Sequence, residues 1–301
     1  MQKNDFAIIT LSYAPDFERC RLLCWSIEKY VSANIKHYVI VDSRDLSLFQ
    51  QLQRKRTEII AVESILPWWI RRIPVVQNGW FSLKNVVLRN WIIQQIAKLA
   101  IAQYIDSDVL IFVDSDTFFV RIFDEKRLFI GNKLRLFREP PFNEATHLRG
   151  HAEANKLLNI NTDIKLAPGY IGNVITWKRD NVFKLYQAIE SISGKGWIET
   201  VVNSPYLSEY ILYGVFVDKY LKADSGHYYE EQKNCHEYWT PKPLSDQELK
   251  DFFGTIEYHH VAVMISAKAG IPVNRYEYLL KGTEDNLDGG ISDPYHYLKR
   301  L

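Results

Sequence analysis

The sequence predicts a mixed α/β fold in which a mainly parallel central sheet is flanked by helices. Three observations carry this. The first sixty residues alternate short apolar runs with amphipathic stretches, the β-α-β-α-β pattern that opens a doubly wound sheet. The run Val109-Leu110-Ile111-Phe112-Val113 is continuously apolar, as a strand buried on both faces must be. Hydrophobic residues make up 47% of the 301, enough for a large core and too many for a disordered chain.

Phe6–Leu11 is apolar and short, and reads as the first strand. Ser12 to Asp16 is a turn. Phe17 to Val31 has helical spacing, with Leu22, Leu23, Trp25, Ile27 and Tyr30 at apolar positions. Tyr38–Val41 is strand two and ends at Asp42. Leu46 to Arg56 reads as a polar amphipathic helix, and Glu58–Val62 as strand three. Leu66-Pro67-Trp68-Trp69-Ile70-Arg71-Arg72 is an aromatic and basic segment, a packed loop or a surface for ligand, acceptor or membrane. Asn85 to Tyr104 is a long helix with Leu88, Ile92, Ile96, Leu99 and Ala100 on one face. Its other face carries Gln94, Gln95 and Lys98, and the lysine projects between the two glutamines. The fourth strand follows directly.

Beyond Asp124 the pattern loosens. Arg138 to Pro141 reads as a turn-rich break. Ala145–Leu158 and Asp180–Ser193 are helices. Pro168 to Gly172 is a loop before a strand over Asn173–Trp177. Ser204-Pro205 has the chemistry of a helix start, Ser as N-cap and Pro at N1, and that helix should run to about Lys222. Tyr258–Ile265 reads as a late strand, and Gly282–Pro294 as a polar tail. There are no internal repeats, low-complexity tracts or Gly/Ser linkers, so one compact domain is expected.

Composition excludes several classes. A formal net charge of +1 gives no field to gather nucleic acid. No run reaches the ~18 apolar residues a membrane span needs. The start Met1 to Asp5 enters a strand with no apolar targeting region, so a cytoplasmic protein is expected, with peripheral contact at the inner face of a membrane left open. Three cysteines, Cys20, Cys24 and Cys235, form no disulfide framework and fit free thiols in a reducing compartment. Oligomeric state is open.

The apolar strand at 109–113 runs into Asp114-Ser115-Asp116. Two carboxylates at the C-terminal edge of an open sheet repel one another, and burial makes both charges costly unless a cation compensates. Hard oxygen ligands of this kind suit Mg²⁺ or Mn²⁺, with a substrate diphosphate completing the shell. Taken together, the βαβ start with Thr10 and Ser12 at its first strand end, Asp42 after strand two, the Gln-Gln-x-x-Lys helix and the Asp-x-Asp resemble a GT-A glycosyltransferase. The match is closest to a poorly characterised bacterial family of DUF-type GT-A proteins linked to surface-polysaccharide genes. That family's Ser-Glu-Tyr followed by Tyr-Gly stands here as Ser208-Glu209-Tyr210 and Tyr213-Gly214.

The resemblance implies a single GT-A domain, residues 1–124 binding the nucleotide sugar and 125–301 binding the acceptor and carrying catalysis. It implies transfer of a sugar from a UDP- or GDP-linked donor to a hydroxyl of a glycan or lipid-linked acceptor, in glycan or surface-polysaccharide synthesis. Asp116 is then the direct metal ligand and Asp114 touches the ribose or the ion through water. Thr10, Ser12, Tyr13 and Asp42 would seat base and ribose, with Gln94, Gln95 and Lys98 at the sugar and phosphates. His259 and His260, on opposite faces of a strand, offer one further metal ligand. Glu209, a lone carboxylate among Tyr206, Leu207, Tyr210, Ile211 and Leu212, is either paired, raised in pKa, or working as the base that deprotonates the acceptor hydroxyl.

Bland readings stand beside these. Strand ends and helix faces carry polar residues for solubility alone. His147 and His151, four apart, lack the pattern of a zinc helix. Trp177, Trp197 and Trp239 are either sugar-stacking or core. Two other functions compete: a non-catalytic nucleotide- or glycan-binding module of the same fold, and an Asp-x-Asp phosphatase. The phosphatase motif opens its chain, whereas this one lies past residue 100.

Overall fold

The computed structural model describes residues 4–73 and 79–280. In chain order the strands are β1 (Phe6–Leu11), β2 (Lys36–Val41), β3 (Thr57–Ala61), β4 (Ile70–Arg72), β5 (Gly79–Ser82), β6 (Asn85–Arg89), β7 (Val109–Phe112), β8 (Thr117–Phe119), β9 (Phe129–Ile130), β10 (Lys133–Phe137), β11 (Glu139–Phe142), β12 (Ala167–Gly169), β13 (Ile175–Lys178), β14 (His227–Glu230), β15 (Cys235–Tyr238) and β16 (Ala262–Ile265). The α-helices are α1 (Phe17–Tyr30), α2 (Leu46–Phe49), α3 (Val62–Ile65), α4 (Asn90–Tyr104), α5 (Ala145–Leu157), α6 (Arg179–Ser193), α7 (Trp197–Val201), α8 (Glu209–Val215) and α9 (Asp246–Gly254).

The central sheet has the order β13-β7-β1-β2-β3. Four of its strands are parallel, and β13 returns antiparallel beside β7. Helices cover both faces, as a parallel sheet requires. On one face Ala7, Ile9, Leu110 and Phe112 pack with Ile96, Leu99 and Ala100 of α4 and with α6 and α8. On the other, Ile8, Ile111 and Val113 pack with Leu23 and Ile27 of α1. Alternation along β1 therefore sends odd-numbered residues toward α4 and even-numbered ones toward α1. A second sheet, β15-β16-β8, lies against α1, because β8 continues the chain directly from the Asp-x-Asp turn.

Several expected boundaries move. The helix over Leu46–Arg56 stops after α2 and a single 3-10 turn, where Gln53 turns to an extended ψ. The helix over Asn85–Tyr104 begins only at Asn90; Asn85–Arg89 is a strand of the β4-β5-β6 meander, whose hydrogen bonds outweigh local helical spacing. The break at Arg138–Pro141 is β11, a two-proline strand that among the described residues pairs with β12 alone, which spares it the central-strand donors proline lacks. The late helix starts at Glu209, capped by Ser208 rather than Ser204, and passes into π-helical backbone over Phe216–Leu221. The strand over Asn173–Trp177 begins at Ile175. The late strand begins at Ala262, so His259 and His260 sit in the turn before it and not on opposite strand faces. The polar tail Gly282–Pro294 lies outside the described residues. Among those described, no helix is long and apolar enough to cross a membrane.

Candidate active site

The C-terminal ends of β1, β2 and β7 lie side by side, because these strands run parallel in register. That is the edge where open α/β sheets bind ligands. The turn after β7 closes with the Thr117 N–H donating to the Asp114 carbonyl at 3.0 Å, which presents both carboxylates. Asp116 Oδ2 accepts the Ala267 N–H at 2.8 Å. Burial, followed by the Asp114 charge, pushes the Asp116 carboxyl up to about 7. Asp16, on the turn before α1, adds to the negative field there.

One cleft of about 550 Å³ opens over the ends of β1 and β2. Ser12, Tyr13, Asp42 and Gln94 line it, with Tyr13 48% exposed. Asp42 is not a free acceptor: it takes hydrogen bonds from the Arg44 backbone at 3.0 Å and side chain at 3.1 Å, and pairs with Arg72. Arg72 packs over Trp80 and reaches the same cleft, so the basic end of the 66–72 segment belongs to it. Thr10 does not. It is even-numbered on β1, faces α1, and its hydroxyl lies 3.0 Å from His37 Nε2 in the core.

A second cleft of about 380 Å³ lies between α4, α5 and α8. Gln95, Lys98 and Glu209 line its floor, and Trp91, Phe142, Ile171 and Tyr206 give it an apolar wall. Gln94 and Gln95 thus face different clefts, though they are adjacent on α4. Lys98 Nζ joins three groups: Glu209 Oε1 at 3.0 Å, the Tyr210 hydroxyl at 3.0 Å and Asp114 Oδ1 at 3.3 Å. Burial disfavours the ammonium, but Asp114, Tyr210 and Glu209 more than offset it and hold the Lys98 pKa well above its usual value. Glu209 is 2% exposed; burial raises its pKa and Lys98 opposes the rise. Gln95 accepts the Glu209 N–H at 3.2 Å, which fixes the start of α8.

His259 and His260 are not brought to this site. β16 runs from Ala262, beside them, to Ile265, whose N–H bonds the Asp116 carbonyl. The length of β16 from Ala262 to Ile265, at ~3.3 Å per residue, keeps about 10 Å or more between the histidines and the carboxylates. His260 accepts the Glu257 N–H, and its ring lies tilted against that of His259 with centroids 4.1 Å apart. Trp177 and Trp197 are core residues stacked on Tyr213 and Tyr186. Trp239 is half exposed and donates to Glu237 at 3.0 Å. His147 and His151 each bond a backbone carbonyl, of Ala167 and Pro168.

Among the described residues, no three His, Cys, Asp or Glu side chains group as a metal site. The two carboxylates nonetheless fit a hard divalent cation. Their mutual repulsion and the burial of Asp116 are what such an ion relieves, and a diphosphate and water would supply the remaining oxygens for Mg²⁺. Sequence pattern assigns no role to Arg72, Asp16, Tyr210, Asn173 or Glu237, although Arg72 stands in the aromatic and basic segment and Tyr210 in the Ser-Glu-Tyr motif.

The model of a family described as "Family of unknown function (DUF6492)" matches residues 7–279. The chain belongs to that family. Its structure is similar to that of mouse xyloside xylosyltransferase 1 in the apo form, with a TM-score of 0.50 at 10% identity over 89% of this chain and 100% of that one. The apo structure of WbbM, a bifunctional glycosyltransferase, gives 0.47 at 11% identity over 88% of this chain and 46% of the other. No curated protein matches the sequence. The first likeness shows the fold of this DUF6492 member: GT-A type, a mainly parallel central sheet between helices.

Proposed function

We propose that the chain is a glycosyltransferase that uses a nucleoside-diphosphate sugar and a divalent cation, Mn²⁺ or Mg²⁺. One observation carries the reading. The Asp114–Asp116 turn stands at the ligand-binding edge of a GT-A sheet, with the Ser12–Tyr13–Asp42 cleft beside it and the Lys98–Glu209 pair joined to it through Asp114.

Asp116, with Asp114 beside it, would hold the ion. When bound, the ion supplies positive charge against the leaving nucleoside diphosphate without any proton transfer. The exposed Tyr13 ring offers a stacking face for the base, and Arg72 brings a cation to the same cleft. Glu209 faces the apolar-walled cleft, where an acceptor sugar would lay its C–H face on Trp91 or Tyr206. Its carboxylate would take the acceptor's proton, and the Lys98 ammonium beside it favours the ionised form that step needs. The acceptor is a glycan or a lipid-linked sugar.

The test is thermal stabilisation by UDP and GDP, compared with ATP, in Mn²⁺ and then in EDTA, followed by a screen of their sugar conjugates for turnover. Metal-dependent stabilisation by a nucleoside diphosphate, lost in Asp116→Asn, is expected. Stabilisation that survives EDTA, or full turnover by folded Asp116→Asn, overturns the proposal.

A further inference from the structure

We infer that Asn173 is a positioning residue that sets the two carboxylates of the Asp-x-Asp turn, clamped in place by Glu237. The inference rests on the metal-dependent reading above and deepens it.

Asn173 lies two residues before Ile175, which pairs with Phe112, and Asp114 lies two residues after Phe112. The two therefore face each other across the end of the sheet. No regular ladder continues there. Instead Asn173 Oδ1 accepts two hydrogen bonds, from the Asp114 N–H at 3.2 Å and from the Thr117 hydroxyl at 2.9 Å. These are the first and last residues of the turn, so one oxygen atom spans it. The Asp114 N–H is an unambiguous donor, which fixes the amide with its oxygen toward the turn and its NH₂ away.

The amide's other side is held as firmly. Glu237 Oε1 accepts the Asn173 N–H at 3.0 Å and lies 3.4 Å from Nδ2. Its second oxygen accepts from Lys233 Nζ at 3.1 Å and Trp239 Nε1 at 3.0 Å. The Glu237 side chain is 3% exposed, and Asn173 is buried as well. A buried, fully partnered carboxylate is a rigid anchor.

The backbone bears a strain to bring Asn173 here. Val174 has φ 59°, the left-handed region, which a β-branched residue resists more than most. That twist turns the chain from the facing position at Asn173 straight into β13. Strain of this kind persists only where the surroundings over-determine it, and it gathers at functional sites. Here the Glu237 bonds and the complete burial of Val174 hold it.

Only asparagine suits the position. Aspartate keeps the shape but sets an oxygen against Glu237 Oε1, acceptor against acceptor. Alanine orphans the Asp114 N–H and the Thr117 hydroxyl, loosening the turn that aims both carboxylates. Groups that orient metal-binding carboxylates, without touching the ion, change metal affinity roughly 10–100-fold when replaced.

The test is Mn²⁺ titration by calorimetry in saturating UDP or GDP, on wild type, Asn173→Asp, Asn173→Ala, Thr117→Val and Thr117→Ser. The two Asn173 variants should weaken Mn²⁺ binding by roughly 10–100-fold. Thr117→Val should lose affinity and Thr117→Ser, which keeps the hydroxyl, should retain it. A folded Asn173→Asp with wild-type Mn²⁺ affinity overturns the inference, as does equal affinity in the two Thr117 variants. If the wild type shows no metal-dependent nucleotide binding, the functional reading falls, and amide exchange across 114–117 then decides the clamp by itself. Faster exchange there in whichever Asn173 variant is folded supports it, and unchanged exchange overturns it.

Discussion

Replacing Lys98 with methionine tests the buried charge network at its centre. Methionine has similar length and no charge, so packing is nearly kept while Glu209 loses its cation. Removing one partner of a buried pair costs about 3–5 kcal/mol, because the other charge is left uncompensated. Asp114 adds little to this sum, since its side chain is 36% exposed and screened by water. For a chain of 301 residues, ~2.1 cal/mol/K per residue gives an unfolding entropy of ~0.6 kcal/mol/K. The loss then corresponds to a fall in Tm of about 5–8 °C at neutral pH. The sign of its pH dependence follows from Glu209. Burial raises its pKa, and with Lys98 gone the main influence opposing the rise is lost, so the folded variant binds a proton the unfolded chain releases. The deficit should therefore shrink as pH falls toward the ordinary glutamate value and grow as pH rises. The double variant Lys98→Met/Glu209→Gln removes both charges and should be more stable than Lys98→Met alone. Urea unfolding of the wild type, both single variants and the double variant at pH 5 and pH 8 measures the coupling. A double variant less stable than Lys98→Met, or a deficit independent of pH, would refute the reasoning.

If Glu209 takes the acceptor's proton, Glu209→Gln should lower kcat far more than it weakens donor binding; equal loss of both marks a structural carboxylate. His227 is buried with its pKa down at about 4, chiefly by desolvation, and it bonds the Tyr213 hydroxyl and the Leu134 carbonyl. The unfolded chain binds a proton near 6.5 that the folded one refuses until about 4, so stability should fall as pH drops through that window. His227→Gln should flatten this acid limb by up to about 3 kcal/mol in urea titrations at pH 4 and pH 7; an unaltered limb counts against the assignment. Gly214→Ala should destabilise by about 1–3 kcal/mol or more in the same assay, because its Cβ would lie 2.2 Å from the Tyr170 ring, which Asp218 holds by the hydroxyl. Wild-type stability there would mean the α8 packing yields.

Much of the first half is legible in the sequence because its signals are local. An apolar run bounded by turn residues makes β1 or β7 whatever surrounds it, and Asp114 and Asp116 must follow the strand that precedes them. The isolation of Glu209 in an apolar helix likewise announces a need for a partner. What local patterning does not contain is which distant residue answers that need, or which face a residue at a strand end presents. Thr10 and Ser12 look alike in sequence, yet the alternation of β1 sends Thr10 to His37 in the core and leaves Ser12 in the cleft. Gln94 and Gln95 are divided between two clefts by α4's rotation against the sheet. His259 and His260 follow an apolar-looking pattern, but the pairing of β16 with β8 leaves them at the far end from the carboxylates.

The α/β class, the parallel strands and the pair of carboxylates at their edge are written in the chain alone, since each rests on residues adjacent in it. It takes the packed fold to bring Lys98 to Glu209 and Tyr210, the latter from 112 positions away, and Asn173 across the Asp114 turn from a separation of 59. Those contacts exist because burial leaves a charged or polar group no water to turn to. The partner it finds is set by how sheets and helices pack, which no short window of sequence records.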